Sequence, residues 1–284
     1  MKKVVLSVVA ALAVSAAMPA FAADMPVKAY KAPAPAPSPW DIAFGTAFTT
    51  DYVFRGISQS NKTPAVQGYF ELDYTASPWL TLYAGVWGSS LYSGFASAEL
   101  DPNAGARFSF GKFGLDVGAL YYGYPGPGAT APVSASTSIS FWEFYAKPSF
   151  KVTDWLTVGG VFAYSDNGFN SGTSETYYAG NASVALPWVL PMGVTSSLSG
   201  EIGRQTFGGP LKTVALFADY TTWNVGIAFN YKAMTLDLRY SDTDAPTTAG
   251  QCTSAPSGGA AGSNICKETF FATLKFDTTL GSIK

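Results

Sequence analysis

Fourteen charged side chains recur at alternate positions within short apolar runs of this sequence. The acids are Asp51, Glu71, Asp73, Glu99, Asp101, Asp116, Glu143, Glu201 and Asp237, and the bases are Arg55, Arg107, Lys147, Arg239 and Lys275. Tyr83 falls on the same parity, together with Tyr69, Trp87, Tyr122, Tyr145 and Tyr177. Charges held on one face of successive strands could pass ions or small polar solutes along an interior. Five bases against nine acids, a balance of −4, would favour cations modestly. The same charges could instead pair across strands and only hold that interior open or closed. The aromatics could guide sugars or nucleosides, or pack over glycines such as Gly85, Gly118 and Gly159.

Other chemistries are excluded by what is missing. The 284 residues contain no histidine, so there is no Ser-His-Asp triad, no Cys-His pair and no imidazole ligand for zinc or haem. Two cysteines cannot build a four-thiolate site. Paired carboxylates could serve an acid protease, yet no Asp-Thr-Gly-like element stands on a loop. No catalytic residue, metal or cofactor is therefore expected, and the chain does not read as an enzyme. Cys252 and Cys266 lie in one stretch rich in Gly, Ser and Ala, and an even pair in an exported chain predicts a disulfide. Free thiols or a metal pair are the weaker alternatives. With 17 basic and 19 acidic residues, nucleic acid is not an expected partner.

The N-terminus predicts export. Lys2 and Lys3 precede an apolar run at 4–14, and Ala20, Phe21 and Ala22 fit a small-x-small cleavage site. Removing 1–22 takes two lysines with it, leaving 15 bases against 19 acids, a net charge of −4. Residues 23–39, in which Ala and Pro alternate from 32 to 37, read as an extended periplasmic spacer. Its Lys28 and Lys31 could touch the anionic cell wall, against the plainer reading of a solvated tether.

The elements that must position the charges are strands. In 42–54 the even positions Ile42, Phe44, Phe48, Tyr52 and Phe54 are bulky, while the odd ones are small or polar. A period of two is a strand with one apolar face. The pattern recurs at 66–74, 80–88, 97–110, 113–123, 138–150, 156–166, 175–186, 193–204, 214–230, 233–242 and 267–276. It blurs before Thr222, where a bulge could shift the parity. No apolar stretch of about 18 residues follows the leader, so helical spans are excluded. Connections after even-numbered segments are tight, and those after odd-numbered ones are longer and rich in Gly, Ser, Asn and Pro. A soluble sandwich has no reason to sort its loops in this way. An outer-membrane barrel does, with short turns in the periplasm and long loops outside. Aromatics such as Trp40, Tyr74, Trp79, Phe110, Trp155 and Phe276 gather at the short-turn ends, as in an interfacial girdle.

These residues also resemble one family. The run Asp51-Tyr52-Val53-Phe54-Arg55-Gly56-Ile57-Ser58-Gln59-Ser60-Asn61-Lys62 resembles the opening motif of the TorF porin family, also called Gcw_chp. Similar matches are Tyr83-Ala84-Gly85-Val86-Trp87-Gly88-Ser89, Ala98-Glu99-Leu100-Asp101 and Val117-Gly118-Ala119-Leu120-Tyr121-Tyr122. Trp223-Asn224-Val225-Gly226 and Thr235-Leu236-Asp237-Leu238-Arg239-Tyr240 with Asp242-Thr243-Asp244 complete them. The resemblance implies an outer-membrane channel of a Gram-negative bacterium and names no solute. One departure is the tail 277–284 beyond Phe276, since many outer-membrane barrels end on such an aromatic.

The expectation is an all-β transmembrane antiparallel barrel of twelve strands, ten or fourteen being the alternatives. It is organised as signal 1–22, spacer 23–39 and barrel 40–284. Outer-membrane lipid and lipopolysaccharide would surround it, small solutes would pass through it, and nothing marks an oligomer contact. The expected function is a porin-like channel for passive diffusion of small hydrophilic solutes or ions. A structural or adhesive barrel acting through loops such as 123–137 and 243–266 is the alternative.

Overall fold

The computed structural model describes residues 38–92, 96, 98–125, 130–131, 134–213, 216–253 and 264–283. The expected signal and all of the spacer up to residue 37 lie outside them. Among the described residues, twelve antiparallel strands close into one barrel. They are β1 (Trp40–Thr49), β2 (Ala65–Ser77), β3 (Leu80–Ser90), β4 (Ala98–Phe110), β5 (Phe113–Tyr122) and β6 (Phe141–Lys151). The ring continues with β7 (Leu156–Gly168), β8 (Thr173–Ala185), β9 (Thr195–Gly208), β10 (Tyr220–Tyr231), β11 (Met234–Thr243) and β12 (Thr269–Thr279). Each strand pairs with its neighbours in sequence, and β12 returns to β1, from Ala43↔Thr279 to Thr49↔Thr273. Closure leaves no unpaired edge.

The period of two separates the two faces. Phe70, Ile202 and Phe270 point outward and are 48%, 61% and 80% exposed, whereas the inward Tyr83, Asp101 and Gln205 are 5% or less. In water this exterior would be an aggregation surface. In lipid it is the solvated side, and the closed ladder satisfies every backbone group that the hydrocarbon cannot. The chain is an outer-membrane β-barrel. At the short-turn end Trp40 packs on Tyr74 at 4.6 Å, and Trp79 stacks on Phe110 at 5.7 Å, forming part of a girdle.

Three expectations are corrected. First, β1 stops at Thr49, so residues 50–54 are not wall. Thr49 Oγ1 donates to the Asp51 carbonyl (2.8 Å), and the chain turns into the lumen. There Val53–Phe54 pairs with Ile57–Ser58 in a small inner hairpin. Its two-residue turn is Arg55-Gly56, both in the left-handed region (φ 47° and 81°). Such a turn suits the twist of a hairpin, and a Cβ on Gly56 would lie 2.3 Å from Thr222 Oγ1. Phe54, expected to face lipid, therefore faces the interior.

Second, the strand expected over 214–230 begins only at Tyr220. Leu211 and Phe217 precede it, buried to 0% and 3% exposure. Their apolarity serves an interior cluster, which is why the parity blurred. Third, the seventh connection is not long. β7 and β8 run thirteen residues each and leave only 169–172 between them. On the other side, 186–194 contains a helical turn at Pro191–Gly193, so the sorting of loop lengths is softer than expected. Past Phe276, β12 continues to Thr279 and ends in a helical turn, Leu280–Ile283, whose Gly281 N–H donates to Asp41 (2.9 Å).

The apolar core sits at one end. Ile57, Phe207, Leu211, Phe217, Tyr220, Ala245, Cys252, Ile265 and Cys266 form a buried cluster inside the long-loop mouth. They come from the inner hairpin, β9, the 209–219 loop, β10 and the 244–268 loop. Cys252 and Cys266 are disulfide-bonded within it, with Cα atoms 5.5 Å apart.

Candidate functional site

The barrel interior divides into a plugged half and an open half. The plug is organised by Asp51 and Arg55. Asp51 Oδ1 accepts from Ser58 Oγ (2.5 Å) and Ser60 Oγ (3.0 Å), and Oδ2 accepts from Thr269 Oγ1 (3.3 Å). Its job is to hold the inner hairpin. Arg55 then reaches across. Its Nη2 meets both Glu143 oxygens at 2.7 and 2.8 Å, Nη1 donates to Gln205 Oε1 (3.1 Å), and the guanidinium lies 4.5 Å over the Tyr177 ring. Glu143 is on β6, Tyr177 on β8 and Gln205 on β9. Those strands are five, five and four places from β1 around the ring. A segment leaving β1 can touch them only through the lumen. Charge-assisted hydrogen bonds of this kind are the strong ones.

Below the hairpin the walls are polar. On one side Arg107 of β4 pairs with Glu71 (2.8 Å), Asp73 (3.1 Å) and Asp116 (3.7 Å). Tyr83 donates to Asp116 (2.6 Å) and is hydrogen-bonded to Tyr145, whose ring lies 4.3 Å from Lys147 Nζ. On the other side Tyr177 donates to Glu201 (2.7 Å). Arg239 clasps Asp237 (2.9 Å) and donates to Asn224 (2.5 Å) and Ser199 (2.7 Å). Between the two walls lies a cavity of about 490 Å³ roofed by Phe54 and Arg55. Further spaces of about 420 Å³, beside Asp237, Arg239 and Lys275, and about 200 Å³, beside Tyr69, Trp87 and Asp277, adjoin the same walls.

Three glycines explain how such wide side chains lie flat. A Cβ on Gly105, Gly118 or Gly203 would fall 2.4, 2.5 or 2.3 Å from the hydroxyls of Tyr83, Tyr145 or Tyr177. Packing over glycine accounts for the flat lie of these three aromatics. Gly85 and Gly159 instead face Glu71 and Asn181, so they were not aromatic seats.

The expected site residues thus separate. Arg55, Glu71, Tyr83, Arg107, Asp116, Glu143, Lys147, Glu201 and Arg239 line the large cavity, and Asp237 and Lys275 line the space beside it. Asp73 joins them through Arg107. Asp51, Glu99 and Asp101 do not; all three are buried in the plugged half, at 4%, 3% and 3% exposure. Along the three open spaces and their walls seven acids (Glu71, Asp73, Asp116, Glu143, Glu201, Asp237, Asp277) face five bases. Three of the nine expected acids are carried in the plug and Asp277 is added, so the acid excess of four shrinks to two. Sequence reasoning missed Asp277 and Glu175. Glu175 shares its parity with Tyr177, and that signal was sufficient to find it.

Comparison with known proteins places these features in context. The family model described as a bacterial protein of unknown function (Gcw_chp) matches residues 33–276. No curated protein is matched by the sequence. Among solved structures, a chain described under "Unveiling the Mechanism Behind the in-meso Crystallization of Membrane Proteins" is similar. It has 10% identity and a TM-score of 0.51, covering 85% of this chain and 84% of that one. A TodX mutant, a monoaromatic hydrocarbon channel, aligns with 12% identity and a TM-score of 0.43, covering 86% and 90%. The beta domain of the Bordetella autotransporter BrkA aligns with 10% identity and a TM-score of 0.43, covering 84% and 98%. At such identities the likeness concerns the fold.

Proposed function

The chain belongs to the Gcw_chp family, and from that premise we propose that it is a porin-like outer-membrane channel for passive diffusion of small hydrophilic solutes or ions, closed at one mouth by its own loops. The observation that carries this reading is the polar cavity of about 490 Å³ inside an apolar exterior, with charged side chains on both walls. A barrel that only anchored loops could fill its lumen with apolar side chains. Seven acids against five bases along the open walls support a weak cation preference. Salt would weaken it over a Debye length of about 8 Å.

The test is the conductance of the purified protein in a planar bilayer. Discrete steps, with a reversal potential on the cation side in a salt gradient, are the expected result, and Arg107→Gln should move that potential further to the cation side. Anion preference would refute the selectivity. A folded barrel that never conducts, even with its plug weakened, would refute the channel. In that case the structural or adhesive reading takes its place, favoured by the disulfide between Cys252 and Cys266 within the buried cluster of the long-loop mouth.

A further inference from the structure

Behind Arg55, on the plug side, lies a second, smaller chamber of about 60 Å³. Its lining is unusual in combining carboxylates with aromatic rings. Glu99, Glu143 and Glu175 face it, with Tyr52, Tyr122 and Tyr220 among the rings. Among the lining residues Arg55 is the sole base, and its charge is taken up by Glu143 at 2.7 Å. Glu175 is 5% exposed, and its Oε1 has no hydrogen-bond partner. Gln205 is 2% exposed, and its Nε2 is equally unpartnered. Glu175 and Gln205 both line this one small space, and each keeps a buried polar atom without a partner; such an atom costs about 1–3 kcal/mol, and a charged one more, so the pair calls for an occupant.

We propose that this chamber binds a small monovalent ammonium-type cation, with Glu175 as its counter-charge and the tyrosine rings as its walls. Carboxylate and aromatic faces together attract organic ammonium ions more than they attract strongly hydrated metal ions. Among the described residues no cluster of three or more His, Cys, Asp or Glu side chains has the arrangement of a metal site, which disfavours a divalent ion. A chamber of this volume has room for a cation of the size of ammonium or methylammonium together with water. The unpartnered Gln205 amide leaves one site for a water accompanying the ion. The inference goes beyond the channel reading, since it concerns binding by the closed protein, whether or not anything crosses it.

The test is calorimetric titration of the full-length mature chain, refolded in detergent, at matched ionic strength. Its probes are the chlorides of ammonium, methylammonium, tetramethylammonium and sodium. Saturable binding of ammonium or methylammonium, at least tenfold tighter than that of sodium or tetramethylammonium, is expected. Glu175→Gln should weaken it at least tenfold while the heat-modifiable gel mobility of the barrel stays unchanged. A flat series, or equal binding by the bulky tetramethylammonium, places the ions in the open cavity and overturns the proposal. So does the absence of saturable binding together with an infrared band of a protonated carboxyl that Glu175→Gln removes, which would mean that the chamber holds a proton and water only. If the variant does not refold, the size series on the wild type decides alone. None of these readings depends on conductance.

Discussion

The two halves of the interior are built by opposite rules. The long-loop half resembles a small soluble protein placed inside a membrane barrel. It has a buried apolar cluster with Leu211 at its centre, a disulfide and an ion pair between Arg55 and Glu143 with side chains 10% and 4% exposed. Among the described residues, the short-turn half has no such core. Its charged side chains lie along the walls, Arg107 remains 40% exposed, and the space between the walls is open. The same chemical element, an arginine among carboxylates, therefore does two jobs. Desolvated at Arg55 it locks segments from opposite sides of the ring. Solvated at Arg107 it lines a surface that water and ions can touch. Burial, not residue type, separates a lock from a lining.

The sharpest way to break this contrast is Arg55→Ala. It leaves Glu143 buried and unpaired, a defect that costs about 3–5 kcal/mol in comparable settings. The barrel should keep its heat-modifiable mobility, while residues 50–60 become protease-sensitive and conductance rises. Unchanged conductance with a cleavable hairpin would mean that the plug is not the barrier. Leu211→Ala comes next. A fully buried leucine lost to a cavity costs about 2–5 kcal/mol, here confined to the plug. The same change at Leu238, which is 43% exposed toward lipid, should leave plug proteolysis unchanged.

Replacing Cys252 and Cys266 together by serine removes a cross-link with a sequence separation of 14. By loop closure such a link contributes ~3 kcal/mol, and faster proteolysis of 244–268 under otherwise native conditions would register its loss. The smallest effect is acid loosening at the rim. Burial works against the Asp219 charge. The hydrogen bonds from Lys212 (2.7 Å) and from the Phe207 N–H (2.9 Å) outweigh it and hold the carboxyl below its ordinary value of 3.8. A depressed folded value means that this contribution is complete above that pH and is lost as pH falls through the folded value. Solvent screening keeps it under about 1 kcal/mol. Protection of the 209–219 loop from an acid-active protease should be flat above pH ~4 and decline below, and Asp219→Asn should abolish the decline.

How much of this was legible follows from which interactions are local. The wall was, because lipid on one side and lumen on the other impose a period of two on every strand, and Val66, Phe70 and Leu72 display it without help from distant residues. Even Glu175 could have been found by parity. The plug was not. Phe54 continues the alternation of β1 without a break, so nothing nearby announces that the chain leaves the wall at Thr50. Phe217 left a trace in the blurred parity before Thr222, but only as noise. Asp51, Glu99 and Asp101 carry the same parity signal as Glu71 and Asp116, although the first three are buried in the plug and the last two line the open cavity.

The amino-acid sequence alone therefore determined that this is a barrel, which face of each strand meets lipid, and that Cys252 and Cys266 could pair. Each depends on residues close together or on a repeating pattern. The tertiary structure decided that the mouth is plugged, that Arg55 is a lock, and that the acid excess suggested by −4 lies mostly in the closed half rather than along the open walls. Those outcomes depend on segments 50–60, 209–213, 216–219, 244–253 and 264–268 meeting across a lumen, and contacts between opposite sides of a ring leave no period in the chain that makes them.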